Sequence, residues 1–240
     1  MSEFVYVGTE LELFAQAKNW KAYIKQYLQK YIQGKILEVG AGIGSNTSLL
    51  CNLQCEQWLC LEPDRQLFKS LQTEINRLSL PNCKAQNGTI EILSPSQEFN
   101  TIIYLDVLEH ILDDKQEIMQ AMKHLTIGGY LVILCPAHQW LFSPFDNAVG
   151  HYRRYNKASL KAVMPDHLQI VDLVYLDCVG LLANLGNRVL LKQSKPNPTQ
   201  IKIWDRYMVS LSRFCDRLIG YSVGKSVILI GKKIYTTLLY

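Results

Sequence analysis

The feature that most constrains the fold is the run Ile-Leu-Glu-Val-Gly-Ala-Gly-Ile-Gly-Ser-Asn-Thr at residues 36–47. Its apolar, β-branched start is typical of a buried strand, and residues 45–53 are typical of a helix. Between the two, Gly40, Gly42 and Gly44 leave the backbone bare, as in the turn that lets a nucleotide-like cofactor approach the end of a parallel strand. We therefore expect a nucleotide-binding α/β fold. A turn with a purely structural role is the alternative.

The spacing of the glycines separates this turn from the dinucleotide-binding fingerprint, which reads Gly-x-Gly-x-x-Gly. Ser45 stands where the third glycine of that fingerprint would fall. An acid, Glu62, follows Gly40 by 22 positions and ends the next predicted strand, the spacing at which an acid meets ribose hydroxyls. A carboxylate accepts two hydrogen bonds from a free diol and repels a 2′-phosphate. The pattern predicts a cofactor with an unphosphorylated ribose, and a plain surface acid is the alternative for Glu62.

Strand-like and helix-like segments alternate along the chain. The predicted strands are 35–39, 58–61, 83–86, 101–105, 130–135, 167–177 and 225–234. The predicted helices are 11–32, 45–53, 65–78, 115–125, 157–163, 181–191 and 201–219. This alternation predicts a largely parallel sheet covered by helices on both faces.

The same pattern predicts one domain over residues 1–240, with four parts. A helical lid at 1–33 precedes a cofactor-binding core at 34–136. An acceptor-side loop and helical insertion around strand six occupies 137–224, and the last strand and tail occupy 225–240. A chain of this length can bury a full core as one α/β domain.

Composition narrows the function classes. The net charge of +4 is small and spread along the chain, which argues against nucleic acid as a partner. The seven cysteines contain no Cys-x-x-Cys pair, so we expect reduced, buried thiols in a reducing compartment, the cytoplasm. The N-terminal stretch has acids within its apolar run and no basic region, so we expect no secretory signal. The apolar segment 173–191 approaches the length of a membrane span, but its polar residues and glycines favour a strand followed by a buried helix.

Three motifs in order resemble the class I S-adenosylmethionine-dependent methyltransferases: Glu38 before the glycine turn, Glu62 after the second strand, and Asp106-Val107-Leu108-Glu109-His110 after the fourth. The resemblance covers roughly residues 34–136. It implies a Rossmann-like, seven-stranded, mostly parallel sheet with helical N-terminal and C-terminal lid elements, and S-adenosyl-L-methionine as the cofactor.

The resemblance also implies which residues bind the cofactor. Its amino-acid end would lie at the glycine turn, its ribose on Glu62 and its methyl group near Asp106. The adenine would lie near the loop after strand three, where this chain has Asn87 and many relatives have Asp. The implied cofactor-binding set is Glu38, Gly40, Ala41, Gly42, Gly44, Asn46, Glu62, Pro63, Gly88, Thr89, Asp106, Val107 and His110.

Residues 136–155, with the segment Pro-Phe-Asp followed by Gly-His-Tyr-Arg-Arg-Tyr, resemble a bacterial methyltransferase subgroup whose members often occur beside sugar and lipid biosynthesis genes. The implied function is O-methylation of a hydroxyl or carboxylate on a small molecule or biosynthetic intermediate. N-methylation of an amino sugar or amine is an alternative. A NAD-dependent oxidoreductase and a catalytically inactive Rossmann-like binding protein are the alternatives from other classes.

A hydroxyl acceptor needs a base, and histidine is the usual side chain with a suitable pKa. His151 is the first candidate because aromatic and basic residues surround it, although packing is the alternative for any histidine. The two arginines that follow would clamp an anionic acceptor, or one of them would pair with Asp146 to hold the loop. The predicted catalytic set is His151, Arg154, Arg153, Tyr152 and His110.

Two further expectations concern metals and surfaces. No metal site is predicted, because Asp113 and Asp114 are explained as caps of the helix that follows them. Helix 201–219 has a wide apolar stripe at helical spacing, which predicts packing against its own domain. An apolar acceptor channel or a peripheral membrane contact is the alternative.

Overall fold

The computed structural model describes residues 5–8, 10–51, 55–186 and 197–235. One seven-stranded sheet forms its centre, with strands in the order β3-β2-β1-β4-β5-β7-β6. The strands are β1 Gly34–Val39, β2 Cys55–Glu62, β3 Cys83–Asn87, β4 Phe99–Leu105, β5 Leu125–Pro136, β6 Leu168–Leu176 and β7 Ser226–Lys233. β7 runs antiparallel to both of its neighbours, and the pairs among β1 to β5 are parallel. The predicted α/β class and all seven predicted strands are confirmed.

Helices cover both faces of the sheet. They are α1 Leu11–Ala15, α2 Lys18–Leu28, α3 Thr47–Leu50, α4 Arg65–Arg77, α5 Asp114–His124, α6 Pro144–Ala148, α7 Lys157–Lys161, α8 Cys178–Gly186, α9 Pro198–Ile203 and α10 Val209–Leu218, with a π-helical segment Trp204–Met208 between the last two. One apolar core joins one face of the sheet to α2, α3, α4 and the helices after β6. The other joins the opposite face to α5 and α7.

The first strand shows why the sheet needs cover on both sides. Ile36 packs in one core, whereas Leu37 and Val39 pack in the other. All three are buried, and each contributes roughly 1.5–3 kcal/mol relative to an exposed side chain. A parallel strand buried on both faces therefore reads as a continuous apolar run, as the sequence does here.

The strand order places the candidate site. β1 lies between β2 and β4, so the chain leaves β1 toward one side of the sheet and later returns to its other side. Such a reversal opens a crevice beyond the carboxyl ends of the strands, where ligands of open parallel sheets bind. The glycine turn follows β1 at this point, and the 106–110 motif follows β4 beside it.

The long predicted helices are interrupted in the structure. The predicted helix 11–32 divides at Ala17, where ψ is 70°, into α1 and α2. The cause is tertiary: the carboxylate of Asp205 accepts hydrogen bonds from the backbone N–H groups of Asn19 at 3.2 Å and Trp20 at 2.8 Å, which caps α2 from another helix. The predicted helix 45–53 forms only over α3, and its residues 52 and 53 lie outside the described residues.

The predicted helix 181–191 also lies partly outside the described residues. Its described part belongs to α8, which begins at Cys178 and ends at Gly186. Within the ranges given above, no helix has the length and apolar character needed to cross a membrane.

Buried aspartates hold the helical layer after β6 together. Asp216 accepts hydrogen bonds from the hydroxyl of Tyr23 at 2.8 Å and from the backbone N–H groups of Asp177 at 2.7 Å and Cys178 at 3.0 Å. It thereby ties α2 and α10 to the corner between β6 and α8. The carboxylate of Asp216 is buried and hydrogen-bonded through both oxygens, which is how buried polar groups are accommodated in a stable fold.

Asp177 plays the same part from the other side of this corner. Its two oxygens accept hydrogen bonds from the backbone of Gly180, the hydroxyl of Ser212 and the indole of Trp204, at 2.7–3.0 Å. The ammonium group of Lys225 lies 3.5 Å away. The two aspartates thus interlock four elements of the helical layer.

Candidate active site

The glycine turn forms a bare backbone loop at the end of β1. Gly40, Gly42 and Gly44 have φ angles of 67°, 57° and 80°, which side chains other than glycine rarely adopt. A Cβ on Gly40 would lie 2.8 Å from Val107, so this glycine allows the turn and the loop after β4 to pack closely. A Cβ on Gly42 would meet only Leu11, at 3.7 Å. Gly42 is therefore the glycine that faces open space beneath the N-terminal segment.

Glu62 lies directly against this turn. Its Oε2 accepts a hydrogen bond from the backbone N–H of Gly42 at 2.8 Å, and its Oε1 accepts one from the N–H of Asp64 at 2.9 Å. Burial raises the pKa of Glu62, and the two backbone donors oppose that shift. A carboxylate has about four lone-pair sites, so two remain for a ribose diol. The residues present fit the ribose of S-adenosylmethionine at this position.

Asn87 joins the ends of β2 and β3. Its amide nitrogen donates to the backbone carbonyls of Glu62 at 2.8 Å and Pro63 at 3.0 Å, and the N–H of Gly88 donates to the Glu62 carbonyl at 3.1 Å. An aspartate could not make the two Asn87 contacts, because a carboxylate has no donor. Asn87 therefore fixes the loop of Gly88 and Thr89, the predicted adenine position, through its own amide.

Glu38 lies beneath the turn, buried in β1. Its Oε2 accepts hydrogen bonds from the hydroxyl of Thr47 at 2.7 Å and the indole of Trp58 at 2.8 Å, with the thiol of Cys60 at 3.7 Å. Burial nevertheless raises the pKa of Glu38 to about 6. The structure gives Glu38 the role of anchoring the turn to α3 and β2, and its cofactor contact stays a prediction.

Two further residues of the implied cofactor-binding set, Ala41 and Asn46, lie in or directly after the same turn. The N–H of Ala41 donates to the carbonyl of Leu61 at 3.0 Å, which ties the turn to β2. Asn46 precedes α3, and its side chain makes no capping hydrogen bond. Both lie at the predicted end of the sheet.

Asp106 ends β4 in a left-handed conformation, with φ of 55°. Its backbone N–H donates to the carbonyl of Leu134 at 2.9 Å, which holds the turn against β5. The side chain is accessible to solvent, yet the surrounding protein raises the pKa of Asp106 to about 6, against the opposing charges of His151 and Lys225. A strained aspartate at a strand end is typical of a functional position.

A cluster of Glu109, His110 and His151 lies next to Asp106. Nε2 of His151 is 3.9 Å from Oε1 of Glu109, and the two imidazole rings are 4.5 Å apart. Burial lowers the pKa of His110 to about 4 and raises the pKa of Glu109. Neither oxygen of Glu109 has a hydrogen-bond partner, and the nearby thiol of Cys135 only partly opposes the rise in the pKa of Glu109. These three side chains could hold a metal ion.

Asp146 orients His151. The Oδ1 of Asp146 lies 2.9 Å from Nδ1 of His151, which directs Nε2 toward Glu109. Asp146 also accepts hydrogen bonds from the backbone and hydroxyl of Ser143, at the start of α6, and from Arg154. Hydrogen bonds from His151 and Arg154 hold the pKa of Asp146 well below its usual range, although burial opposes them. The arrangement is a carboxylate, an oriented imidazole and an open nitrogen.

Asp146 and Glu109 are site residues that were not predicted from the sequence. The sequence pattern indicated Asp146 only as a partner for an arginine, and Glu109 only as part of the 106–110 motif. A signal existed for Glu109, because an acid between Leu108 and His110 falls in a segment that the strand pattern places at the ligand end of the sheet.

The two arginines of the predicted catalytic set are engaged within the loop. Arg154 donates to both oxygens of Asp146 at 2.7 and 2.9 Å, which is the loop-holding arrangement considered above. Arg153 donates to Asp114 at 2.6 Å and to the carbonyl of Leu112 at 2.8 Å. Tyr152 is exposed, and only its backbone N–H contacts the site, through the carbonyl of Glu109 at 2.8 Å. These contacts indicate that the two arginines hold the loop in place and do not clamp an anionic acceptor.

The N-terminal segment lies across the site. The backbone N–H of Tyr6 donates to Asp64 at 2.8 Å, and the Tyr6 ring lies 5.6 Å from His110. A Cβ on Gly150 would lie 3.2 Å from Val7. In contrast, α2 is buried in the core, so the cover over the site is formed by the residues before it.

Part of the apolar stripe of the C-terminal helices faces away from the core, whereas Trp204 is buried in it. Tyr207, Leu211, Phe214 and Leu218 are 62%, 52%, 63% and 70% exposed. The helix packs instead through a polar and small face, with Val209, Ser212 and Asp216 buried. The prediction that the stripe packs against its own domain is wrong for these four residues, because hydrogen bonds to Asp216 and Ser212 set the orientation of the helix.

Comparisons with known proteins agree with this geometry. A family model described as a methyltransferase domain matches residues 37–131, which run from β1 into β5. A search of curated proteins finds no match. An S-adenosylmethionine-dependent methyltransferase from Clostridium acetobutylicum is 12% identical, with a TM-score of 0.56 over 90% of this chain and 92% of that one.

Two further solved structures have the same fold. Coclaurine N-methyltransferase bound to N-methylheliamine and SAH is 14% identical, with a TM-score of 0.60 over 96% of this chain and 83% of that one. The cyclase SpnF is also 14% identical, with a TM-score of 0.63 over 96% of each chain. At these identities the structures show the fold alone, and the family model adds the cofactor-binding segment. Residues 37–131 therefore match a methyltransferase domain, within a chain that has the fold of S-adenosylmethionine-dependent methyltransferases.

Proposed function

We propose that this methyltransferase acts on an oxygen atom, a hydroxyl or a carboxylate, of a small molecule or biosynthetic intermediate. The observation that carries the proposal is the contact between Asp146 and His151. It leaves Nε2 of His151 directed into the site beside Asp106, at the end of the sheet where the methyl group is expected. A hydroxyl acceptor must lose its proton during transfer, and an oriented imidazole is suited to take it.

The chain's own residues have three tasks in this proposal. When bound, S-adenosylmethionine supplies an electrophilic sulfonium methyl group, so that the new C–O bond forms as the C–S bond breaks and its electron pair stays on sulfur. His151 takes the acceptor proton, and the buried carboxylate of Asp146 stabilises the resulting imidazolium. The cover of residues 5–8 and α1 excludes water. Alignment alone corresponds to an effective molarity on the order of 10⁵–10⁸ M.

We assign the cofactor to the crevice between the glycine turn and the loop after β4. The open lone pairs of Glu62, the bare backbone at Gly42 and the accessible carboxylate of Asp106 support this assignment. The remaining positions follow the resemblance stated above and lie at the same edge: Glu38, Gly40, Ala41, Gly44, Asn46, Pro63, Gly88, Thr89, Val107 and His110.

Transfer to nitrogen remains the second candidate, because the same imidazole can deprotonate an ammonium group. A carboxylate acceptor needs no base and would depend on cationic side chains instead. The engagement of Arg153 with Asp114 and of Arg154 with Asp146 gives that version less support than a hydroxyl acceptor.

Labelled S-adenosylmethionine and an extract of the native organism, analysed by mass spectrometry, would identify the product and its methylated atom. With that acceptor, we expect His151→Ala to reduce the rate by roughly 10²–10⁴-fold, as loss of a general base does. His138→Ala is the matched control, because His138 lies in the same loop but contacts the carbonyl of Gly224 at 3.0 Å. Full activity of His151→Ala would remove this residue from the mechanism.

A further inference from the structure

Methyl transfer alone does not account for Glu109. Both of its carboxylate oxygens are buried without a hydrogen-bond partner, and a buried carboxylate without partners is costly. In the described part of the chain, Oε2 of Glu10 is the one other buried side-chain oxygen or nitrogen in this condition. An unpaired carboxylate facing two imidazoles indicates that a cationic ligand belongs among them.

The distances suit an ion. One ligand atom from each of Glu109, His110 and His151 lies within 4.8 Å of the other two, and the Glu109–His151 pair is already at 3.9 Å. Ligand atoms that share one ion at 2.0–2.2 Å lie about 3.4 Å apart. The three atoms therefore need to approach one another by on the order of 1 Å, which side-chain rotation can supply.

The outer contacts match those of metal-binding histidines, which use their second ring nitrogen to hydrogen-bond a carboxylate or a backbone group. The Nδ1 of His151 makes this contact with Asp146, and the ring of His110 lies beside the backbone of Gly150. Asp146 is in turn fixed by Ser143 and Arg154. The imidazole of His151 is thus oriented before any ligand arrives.

We propose that Glu109, His110 and His151 bind one divalent first-row transition-metal ion, such as Mn²⁺, Fe²⁺, Co²⁺ or Zn²⁺, with the acceptor oxygen as a further ligand. Two imidazoles and one carboxylate suit these ions, whereas Mg²⁺ and Ca²⁺ prefer sites made of oxygen. Asp106 supplies a second carboxylate at the same strand end. This proposal replaces the expectation from sequence that the chain has no metal site.

The metal proposal rests on the proposed function and changes one step of it. His151 then holds the ion instead of receiving the proton. The ion would act as a Lewis acid on the bound hydroxyl, which would lose its proton to solvent before the cover closes off the site. The C–O bond forms and the C–S bond breaks as before, so the products are unchanged.

Metal binding is tested directly on the full chain. The protein is treated with a chelator, freed of it and titrated calorimetrically with Co²⁺ and Mn²⁺, and the cobalt d–d absorption reports the ligands. We expect one ion per chain. Glu109→Gln and His151→Ala should weaken binding by at least about 10-fold, the scale set by loss of a metal-site contact. His138→Ala should bind as the wild type does.

The affinity of each variant for S-adenosylhomocysteine shows whether it has folded. Absence of stoichiometric binding by the wild type, or unchanged binding by both folded variants, would overturn the metal site. If the chelator-treated wild type transfers methyl at full rate, the metal site is also overturned and the proposed function stands with His151 as the base. If the wild type fails to bind S-adenosylhomocysteine, the proposed function fails whatever the titration shows.

Discussion

Buried acids in the helical layer and at the candidate site differ in one respect. Asp177 and Asp216 are buried, and donors surround their oxygens. Glu109 is equally buried, and neither of its oxygens has a donor. Unsatisfied buried groups are rare and costly, so a fold keeps one where a ligand completes it. The difference teaches that the helical layer is built for stability, and the strand ends for a ligand.

The largest effect expected from this comparison is on Asp216. Asp216→Ala would leave the hydroxyl of Tyr23 and two backbone N–H groups buried without an acceptor. We expect the free energy of unfolding to fall by about 2–5 kcal/mol. Urea denaturation followed by far-UV circular dichroism measures it.

Glu109→Gln is the paired variant for Asp216→Ala. It replaces a carboxyl group that has no hydrogen-bond donor by an amide of the same shape, so we expect a change in the free energy of unfolding of about 1 kcal/mol or less, in either direction. Equal losses in the two variants would show that the two kinds of buried acid do not differ.

Glu62 lies between the two cases, because each of its oxygens accepts one backbone hydrogen bond and can accept another. Glu62→Ala removes the acceptors proposed for the ribose diol, and hydrogen bonds to a charged group contribute about 1.5–3 kcal/mol. We expect affinity for S-adenosylhomocysteine to fall on the order of 10–100-fold, measured by calorimetry. Glu98→Ala, at the opposite end of β4, is the control and should bind normally. Unchanged affinity in Glu62→Ala would place the ribose elsewhere.

Glu38 is a buried acid whose pKa is raised even though three side chains donate to it. Burial therefore has a larger effect on this pKa than the hydrogen bonds have. The folded pKa of about 6 lies above the ordinary 4.5, so the folded protein holds the proton more tightly. The tighter binding of this proton stabilises the folded protein by about 2 kcal/mol. The stabilisation is fully present below about pH 4.5 and is lost as the pH rises through about 6. The difference in unfolding free energy between wild type and Glu38→Gln, followed from pH 4 to pH 7, should show that decline. A flat difference would contradict it.

The smallest effect is expected on the exposed stripe. The double variant Leu211→Ser, Phe214→Ser should change the free energy of unfolding by about 0.5 kcal/mol or less, because both side chains face solvent. Val209→Ser on the buried face of the same helix is the contrast, with an expected loss of about 2–4 kcal/mol. A comparable loss in the double variant, seen in thermal denaturation, would mean that the stripe is covered in solution.

The sequence predicted the sheet well and the helical layer less well. Strands β1 to β7 were all predicted. The central strands β1, β4 and β5 are largely buried on both faces and read as apolar runs, whereas the edge strand β6 reads as an alternation. The break between α1 and α2 was not, because the cap comes from Asp205, far away in the chain. The exposed side chains of α10 were predicted to be buried, because the contacts of Asp216 and Ser212 that orient this helix also come from distant residues. Buried polar contacts, which have no period, override the apolar pattern.

In the candidate site, too, some residues could be predicted from the sequence and others could not. Positions fixed by the local chain, namely the glycine turn, Glu62 and Asp106, are found at one edge of the sheet, as expected from their motifs. The role of Asp146 depends on the fold of the loop after β5, which brings Ser143, His151 and Arg154 around one carboxylate. No spacing rule encodes such a convergence, so Asp146 and the unpaired Glu109 required the structure.

Asp64 connects the proposed ribose site with the N-terminal segment of residues 5–8. Its Oδ1 caps α4 through the N–H groups of Gln66 and Leu67, its Oδ2 holds the N–H of Tyr6, and its own N–H donates to Glu62. The proposed ribose site and the segment that covers it therefore share one aspartate, so that a substitution of Asp64 would disturb both at once.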